Sequence, residues 1–186
     1  MQVLSILKKV CKYLNKEDVF SLLDDENISS IEQNETCKDL LSILNFVICR
    51  VACEFCFCKN TEQINIEDSK GIAVSDLSKT LFSVISIKNA QGNVEYSEDG
   101  TNIYAPKGSY TLTYAYLPND VTFSSNVNFF PSCITSDILA TGVIAHYFLL
   151  KGFYTEYDIF EKMFVNKLLI VTNKKSEIRI KNRVWL

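Results

Sequence analysis

Apolar residues at the start of the chain fall at Val3, Ile6, Leu7, Val10 and Leu14. This is the spacing of a helix that buries one face. Asn15 stands where an N-cap is wanted, and Glu17 and Asp18 follow where negative charge suits the positive end of a helix. They predict a short second helix with Val19, Phe20, Leu22 and Leu23 on its apolar face, closed by Asp24-Asp25-Glu26-Asn27. Thr36 with Asp39 reads as a capping box opening a third helix. Leu40, Leu44, Val47, Ile48, Val51 and Phe55 keep one face of it apolar, and it is expected to run out near Cys58-Lys59-Asn60.

From Thr61 the period changes from helical to alternating. Ile64 with Ile66, Ile72 to Val74, Leu81 to Lys88 and Val94 to Tyr96 predict strands, with turns at Asn89 to Asn93 and at Ser97 to Gly100. Ile103 to Ala105 and Ser109 to Tyr116 are expected to form a hairpin around Pro106-Lys107-Gly108. Along its second arm Tyr110, Leu112, Tyr114 and Tyr116 face one way, and Thr111, Thr113 and Ala115 the other.

Pro118-Asn119-Asp120 ends the sheet, and Val121 to Pro131 reads as a loop. Thr135 or Ser136 then caps an apolar helix that stops at Lys151-Gly152, and Thr155 with Asp158 starts a last helix. The stripe of that helix is Tyr157, Phe160, Phe164, Leu168 and Val171. A link as short as Phe153-Tyr154 makes the two helices antiparallel. The tail from Glu177 to Leu186 alternates like a strand, either a last strand of the chain's own sheet or an arm that adds to a neighbour with Trp185 as anchor.

The expected class is α+β: a mainly helical bundle with an inserted antiparallel β region and an extended C-terminal tail. One domain over 1–186 is expected, with N-terminal helices in 1–60, the β insert in 61–117, the helix hairpin in 134–172 and the tail in 173–186. A net charge of −3 argues against a general nucleic-acid binder with a basic surface. The aromatic content is high, with twelve Phe and nine Tyr, and some of these rings are expected at contacts with other subunits. Lys8, Lys9 and Lys12 interrupt the first apolar stretch, so it is not expected to act as a secretory signal. The apolar run from Ile138 to Leu150 is shorter than the roughly 20 residues of a membrane span.

Candidate chemistry is sparse. Cys53 and Cys56 have C-x-x-C spacing, with Cys49, Cys58 and Cys37 as further thiols, which keeps a small cytosolic metal-binding or redox module as a rival reading. Cys49, Cys53 and Cys56 also follow helical spacing, and as core-facing thiols they pack as small hydrophobes. Seven cysteines without an export signal are expected to be reduced. His146 is the lone histidine, inside the most apolar helix, and is expected to be a packed residue. With no phosphate loop, H-E-x-x-H or G-x-S-x-G, no enzymatic activity, metal or cofactor is expected.

Three features together have a familiar shape: the strand GSYTLTYAYLP (108–118), the loop to Pro131, and the pair ILATGVIAHYFLLKG (138–152) and YTEYDIFEKMFVNKLL (154–169). They resemble the phage head–tail connector family, also called adaptor or head-completion proteins. In that family a Tyr-rich strand ending in a Pro-containing turn precedes two antiparallel helices. The opening segment LKKVCKYLNKEDVF (7–20) is similar to the family's first helices, while the long β region departs from the smaller connectors.

The resemblance implies a structural virion protein, made in the host cytoplasm and located in the head–tail neck. It would form a homo-oligomeric ring, commonly a dodecamer, beneath the portal protein. The ring would extend a channel through which packaged DNA passes without sequence-specific binding, and would dock downstream neck or tail proteins. No membrane partner is implied. Candidate inter-subunit contacts are Tyr110, Tyr114, Tyr116, Ile178, Arg179, Ile180, Lys181, Arg183 and Trp185. A tail-completion or tail-terminator subunit is the alternative within the virion.

Overall fold

Amphipathic spacing becomes helix where expected in a computed structural model, which describes residues 1–25, 27–67 and 71–173. The helices are α1 (Val3–Tyr13), α2 (Glu17–Asp24), α3 (Ile28–Gln33), α4 (Glu35–Glu54), α5 (Ser136–Leu150) and α6 (Tyr154–Asn173). The strands are β1 (Cys58–Ile66), β2 (Ile72–Ala73), β3 (Leu81–Asn89), β4 (Gly92–Asn93), β5 (Ser97–Glu98), β6 (Asn102–Tyr104) and β7 (Gly108–Tyr116). The class is α+β. The expected tail, 173–186 apart from the end of α6, lies outside the described residues, and so do Ile178, Arg179, Ile180, Lys181, Arg183 and Trp185.

The chain divides into two compact units, residues 48–120 and the segments on either side of them. The helical unit takes in α1 to α3, the first part of α4, and α5 with α6. Val3, Ile6, Leu7 and Val10 of α1 are fully buried, as are Leu40 and Leu44 of α4 and Phe164 and Leu168 of α6. Helix α5 is buried on every side from Ile138 to Ala145, which fits a helix at the centre of a bundle. Gly142 is what lets neighbours come so close: a Cβ there would stand 2.8 Å from both the Phe164 ring and Val47 Cγ1.

Local chemistry sets the helix ends. Asn15 does not cap α2. It takes φ +51 at the end of α1, a left-handed stop that Asn tolerates, and Lys16 caps α2 without a side-chain bond. The cap of α4 is Asn34, whose Oδ1 accepts from Cys37 N at 3.0 Å, in place of the expected Thr36 box. Thr135 does cap α5, accepting from Ile138 N, and Gly152 at φ +79 closes the turn into α6.

The loop before α5 is held at both ends. Asn45 Nδ2 donates to Val121 O at 3.2 Å while Val121 N donates to Asn45 Oδ1 at 2.8 Å. Val127 N donates to Met1 O at 2.7 Å, and Val3 N to Ser125 O at 3.2 Å, so this segment runs beside the first residues like a short strand.

The β unit holds a four-stranded antiparallel sheet in the order β1-β7-β3-β4 and a three-stranded one in the order β2-β6-β5. Strand β7 is central: it pairs with β1 over nine positions, from Cys58↔Tyr116 to Ile66↔Gly108, and with β3 on its other edge. One core serves both sheets, with Ile66, Ile87, Ile103, Leu112 and Tyr114 at its centre.

Several expectations change here. The Ile103–Tyr116 hairpin does not form: β6 pairs with β2 and β5, whereas β7 joins the other sheet. Strand β7 takes β1 from 42 to 58 residues earlier in the chain and β3 from 23 to 35 residues earlier, and the two pairings fill both of its edges. Cys58-Lys59-Asn60 opens β1 instead of ending α4. Val94 to Tyr96 is not a strand, while Ser97 and Glu98, expected in a turn, form β5.

Candidate functional site

The tyrosines of β7 do not project. Tyr110 is 4% exposed and Tyr114 fully buried. Tyr114 Oη accepts from Asn60 Nδ2 at 3.1 Å and from Lys79 N at 3.2 Å. Tyr110 Oη donates to Pro106 O. Both rings are committed to the core of the β unit, which corrects their assignment as inter-subunit contacts. Tyr116 is partly exposed, and Lys79 Nζ lies 6.0 Å from its ring centroid. Burial pushes the Tyr116 hydroxyl pKa up.

The exposed rings of this unit come from elsewhere. Phe57 and Phe82 sit 5.9 Å apart by ring centroid, with Ile85 also exposed. Phe57 lies in the short link between α4 and β1, where no periodic signal marks it.

None of the seven cysteines, all among the described residues, is in a disulfide. Cys49 and Cys53 ride on α4, Cys56 follows it and Cys58 opens β1, so the helical register joining the first three breaks after Glu54. Cys49 is exposed, which corrects its expected core-facing position. Burial pushes the Cys11 and Cys58 thiols up to about 12, and it also raises Cys37 and Cys53. A raised thiol pKa is the opposite of what a nucleophile or thiolate ligand needs. Among the described residues no group of three or more His, Cys, Asp or Glu side chains is placed to hold a metal ion. His146 packs between Phe46, at 4.5 Å, and Tyr157, at 6.4 Å between centroids.

The helical unit carries a feature that no single segment announces. A cleft of about 550 Å³ opens where α1, α5 and α6 meet. Its rim has Lys9, Lys12 and Lys167, and Asp137 is the one carboxylate of its lining among the described residues. Ala140 and Ile144, both buried, form its floor with Phe160. Lys9 Nζ donates to Asp137 Oδ1 at 2.6 Å and to Ser136 Oγ at 2.8 Å. Lys167 Nζ donates to Thr141 Oγ1 at 2.9 Å, and Thr141 in turn to Asp137 O at 2.7 Å. Neither Lys12 nor Lys167 has a described carboxylate within ion-pair distance. Tyr13 stands at the mouth, edge-on to Phe160 at 5.3 Å and 63% exposed.

The turn from α5 to α6 has the opposite character. Leu150, Phe153 and Tyr154 are 70%, 53% and 68% exposed, and the exposed Glu156 and Asp158 follow on the first turns of α6. Ile159 continues the apolar surface. Sequence reading took these residues as an antiparallel connection and did not weigh their exposure. The signal was the density of rings and acids in FYTEYDI (153–159).

The chain matches no protein-family model and no curated protein. No helix among the described residues is long and apolar enough to cross a membrane.

Proposed function

We propose that this chain is a head–tail connector of a tailed phage, a virion protein whose copies form a ring below the portal. The ring extends the DNA channel and docks the next neck or tail protein. One observation carries the reading. Apolar and aromatic side chains are exposed around the α5–α6 turn, at Leu150, Phe153, Tyr154 and Ile159, in a chain where α5 itself is buried from Ile138 to Ala145. Exposed apolar surface of this extent marks a contact with another protein. The element order supports the connector class: short helices, a β insert whose Tyr-rich last strand ends in a Pro turn, then an antiparallel helix pair. The net charge of −3 suits a channel wall, because few cations are offered in exchange for the counterions of DNA. Side-to-side contacts between unlike surfaces close such subunits into a ring.

The experiment is assembly. Purified chain, alone and mixed with a tailed-phage portal protein, is imaged by negative stain and sized by sedimentation. Rings, or rings seated on portal, are expected. A folded monomer without affinity for portal overturns the proposal.

A further inference from the structure

The cleft and the α5–α6 turn are complementary surfaces at different places on one helical unit. The first is cationic over an apolar floor, with Lys12 and Lys167 unmatched by any described carboxylate. The second is acidic and aromatic, with Tyr154, Glu156 and Asp158 all exposed. We infer that the cleft receives the α5–α6 turn of a second copy of this chain, with Phe153 and Tyr154 over Ile144 and Phe160, and Glu156 and Asp158 against Lys12 and Lys167. The inference rests on the proposed ring and names the contact that closes it.

Three features select this occupant. The cleft has the volume of a site that takes bulky side chains. Its apolar floor, beneath cations that no described carboxylate matches, suits a ring flanked by acids better than a bare phosphate. The two surfaces differ, so the contact is head-to-tail: every copy keeps one open cleft and one open turn until the cycle closes. Charge steers and registers such a contact, while the buried rings supply most of its affinity.

Sedimentation velocity on the full chain tests it, with two variants and one control. Lys12→Gln with Lys167→Gln neutralises the two rim cations that no described carboxylate matches, and Glu156→Lys with Asp158→Lys inverts the turn. Each variant alone is expected to self-associate at least tenfold more weakly than the native chain, with unchanged circular dichroism. An equimolar mixture is the sharper measurement. The first variant keeps a native turn and the second a native cleft, so the mixture forms one-to-one dimers and no larger species. Lys107→Glu, an exposed charge reversal in the β unit, leaves assembly unchanged. Native chains that form rings which both variants also form overturn this contact and leave the ring standing. A native chain that never self-associates, either alone or on portal, overturns both. Variants that associate weakly but fail to pair in the mixture overturn the head-to-tail assignment.

Discussion

Gly142 faces the fully buried ring of Phe164 so closely that a methyl group in its place would stand 2.8 Å from the ring edge. In a free helix, alanine would be favoured over glycine by about 1 kcal/mol. Overpacking a filled core costs about 1–3 kcal/mol. Val47 closes the other side at the same distance, so an added methyl must displace a side chain on each side. Gly142→Ala is expected to lower the midpoint of thermal unfolding, and Gly142→Val to lower it further. Pairing Gly142→Ala with Phe164→Leu should recover part of the loss in a double-mutant cycle. A more stable Gly142→Ala protein would contradict the packing described here.

The hydroxyl of Tyr114 accepts two hydrogen bonds inside the β unit, from Asn60 and from the Lys79 amide. Tyr114→Phe keeps the ring and strands both donors. The expected loss is about 1–2 kcal/mol in denaturant unfolding, with assembly unchanged because the ring does not reach the surface. Weakened assembly in a stable Tyr114→Phe protein would restore this residue as a subunit contact.

Thiol labelling should be strongly ordered. Cys49 is exposed on α4, whereas Cys11 and Cys58 are buried with pKa values pushed up to about 12. At pH 8 an aromatic disulfide reagent is expected to modify Cys49 first, and Cys11 and Cys58 only as the chain unfolds. Mass spectrometry of a time course reads the order. Early modification of Cys58 would refute the burial of β1's first residue.

Asp99 organises the turn between β5 and β6. Its Oδ1 accepts from Thr101 N at 2.9 Å, Thr101 Oγ1 at 2.7 Å and Asn102 N at 2.8 Å, and its Oδ2 from Tyr104 Oη at 2.7 Å. The Tyr104 hydrogen bond, then those from Thr101 and Asn102, hold the carboxyl well below its usual range. A depressed folded pKa gives stability that is complete above the unfolded value of about 3.9 and fades as pH falls through the folded one. The Thr101 and Asn102 amides should therefore stay protected down to pH 4 and lose protection only in stronger acid. The partner shifts the opposite way: the Asp99 hydrogen bond raises Tyr104, whose contribution persists to about pH 10 and is lost above it. Asp99→Ala should expose both amides at neutral pH in hydrogen exchange, and unchanged protection would sink the account.

How far the sequence reaches follows from where each signal lies. Helices α1, α4 and α6 were legible because one apolar face repeats within each segment, as Phe160, Phe164 and Leu168 do in α6, and α5 because its continuous apolar run follows a cap at Thr135. Helix α3 was not, since six residues hold only Ile28 and Ile31 as apolar positions. Strand β7 was visible through its alternation, but its partners were not: Tyr116 meets Cys58 across the whole insert, and no local pattern encodes that pairing. The adjacent Ile103–Ala105 segment therefore looked like its partner when it belongs to the second sheet. The cleft escaped for the same reason, because Lys12 and Lys167 become neighbours only through helix packing.

The nested order of the two units has a consequence for how the chain is made. Residues 48–120 form an unbroken stretch, so every strand pairing in them can be completed as soon as Tyr116 has left the ribosome. Helix α1, made first, must wait for α5: the Lys9–Asp137 pair spans 128 positions. Until then its apolar face has no helix α5 to cover it, and α1 is the segment that a chaperone would guard during synthesis. Chains stalled once Tyr116 has emerged from the ribosome, with α5 still inside it, should accordingly show a protease-resistant β unit beside a digestible N-terminus.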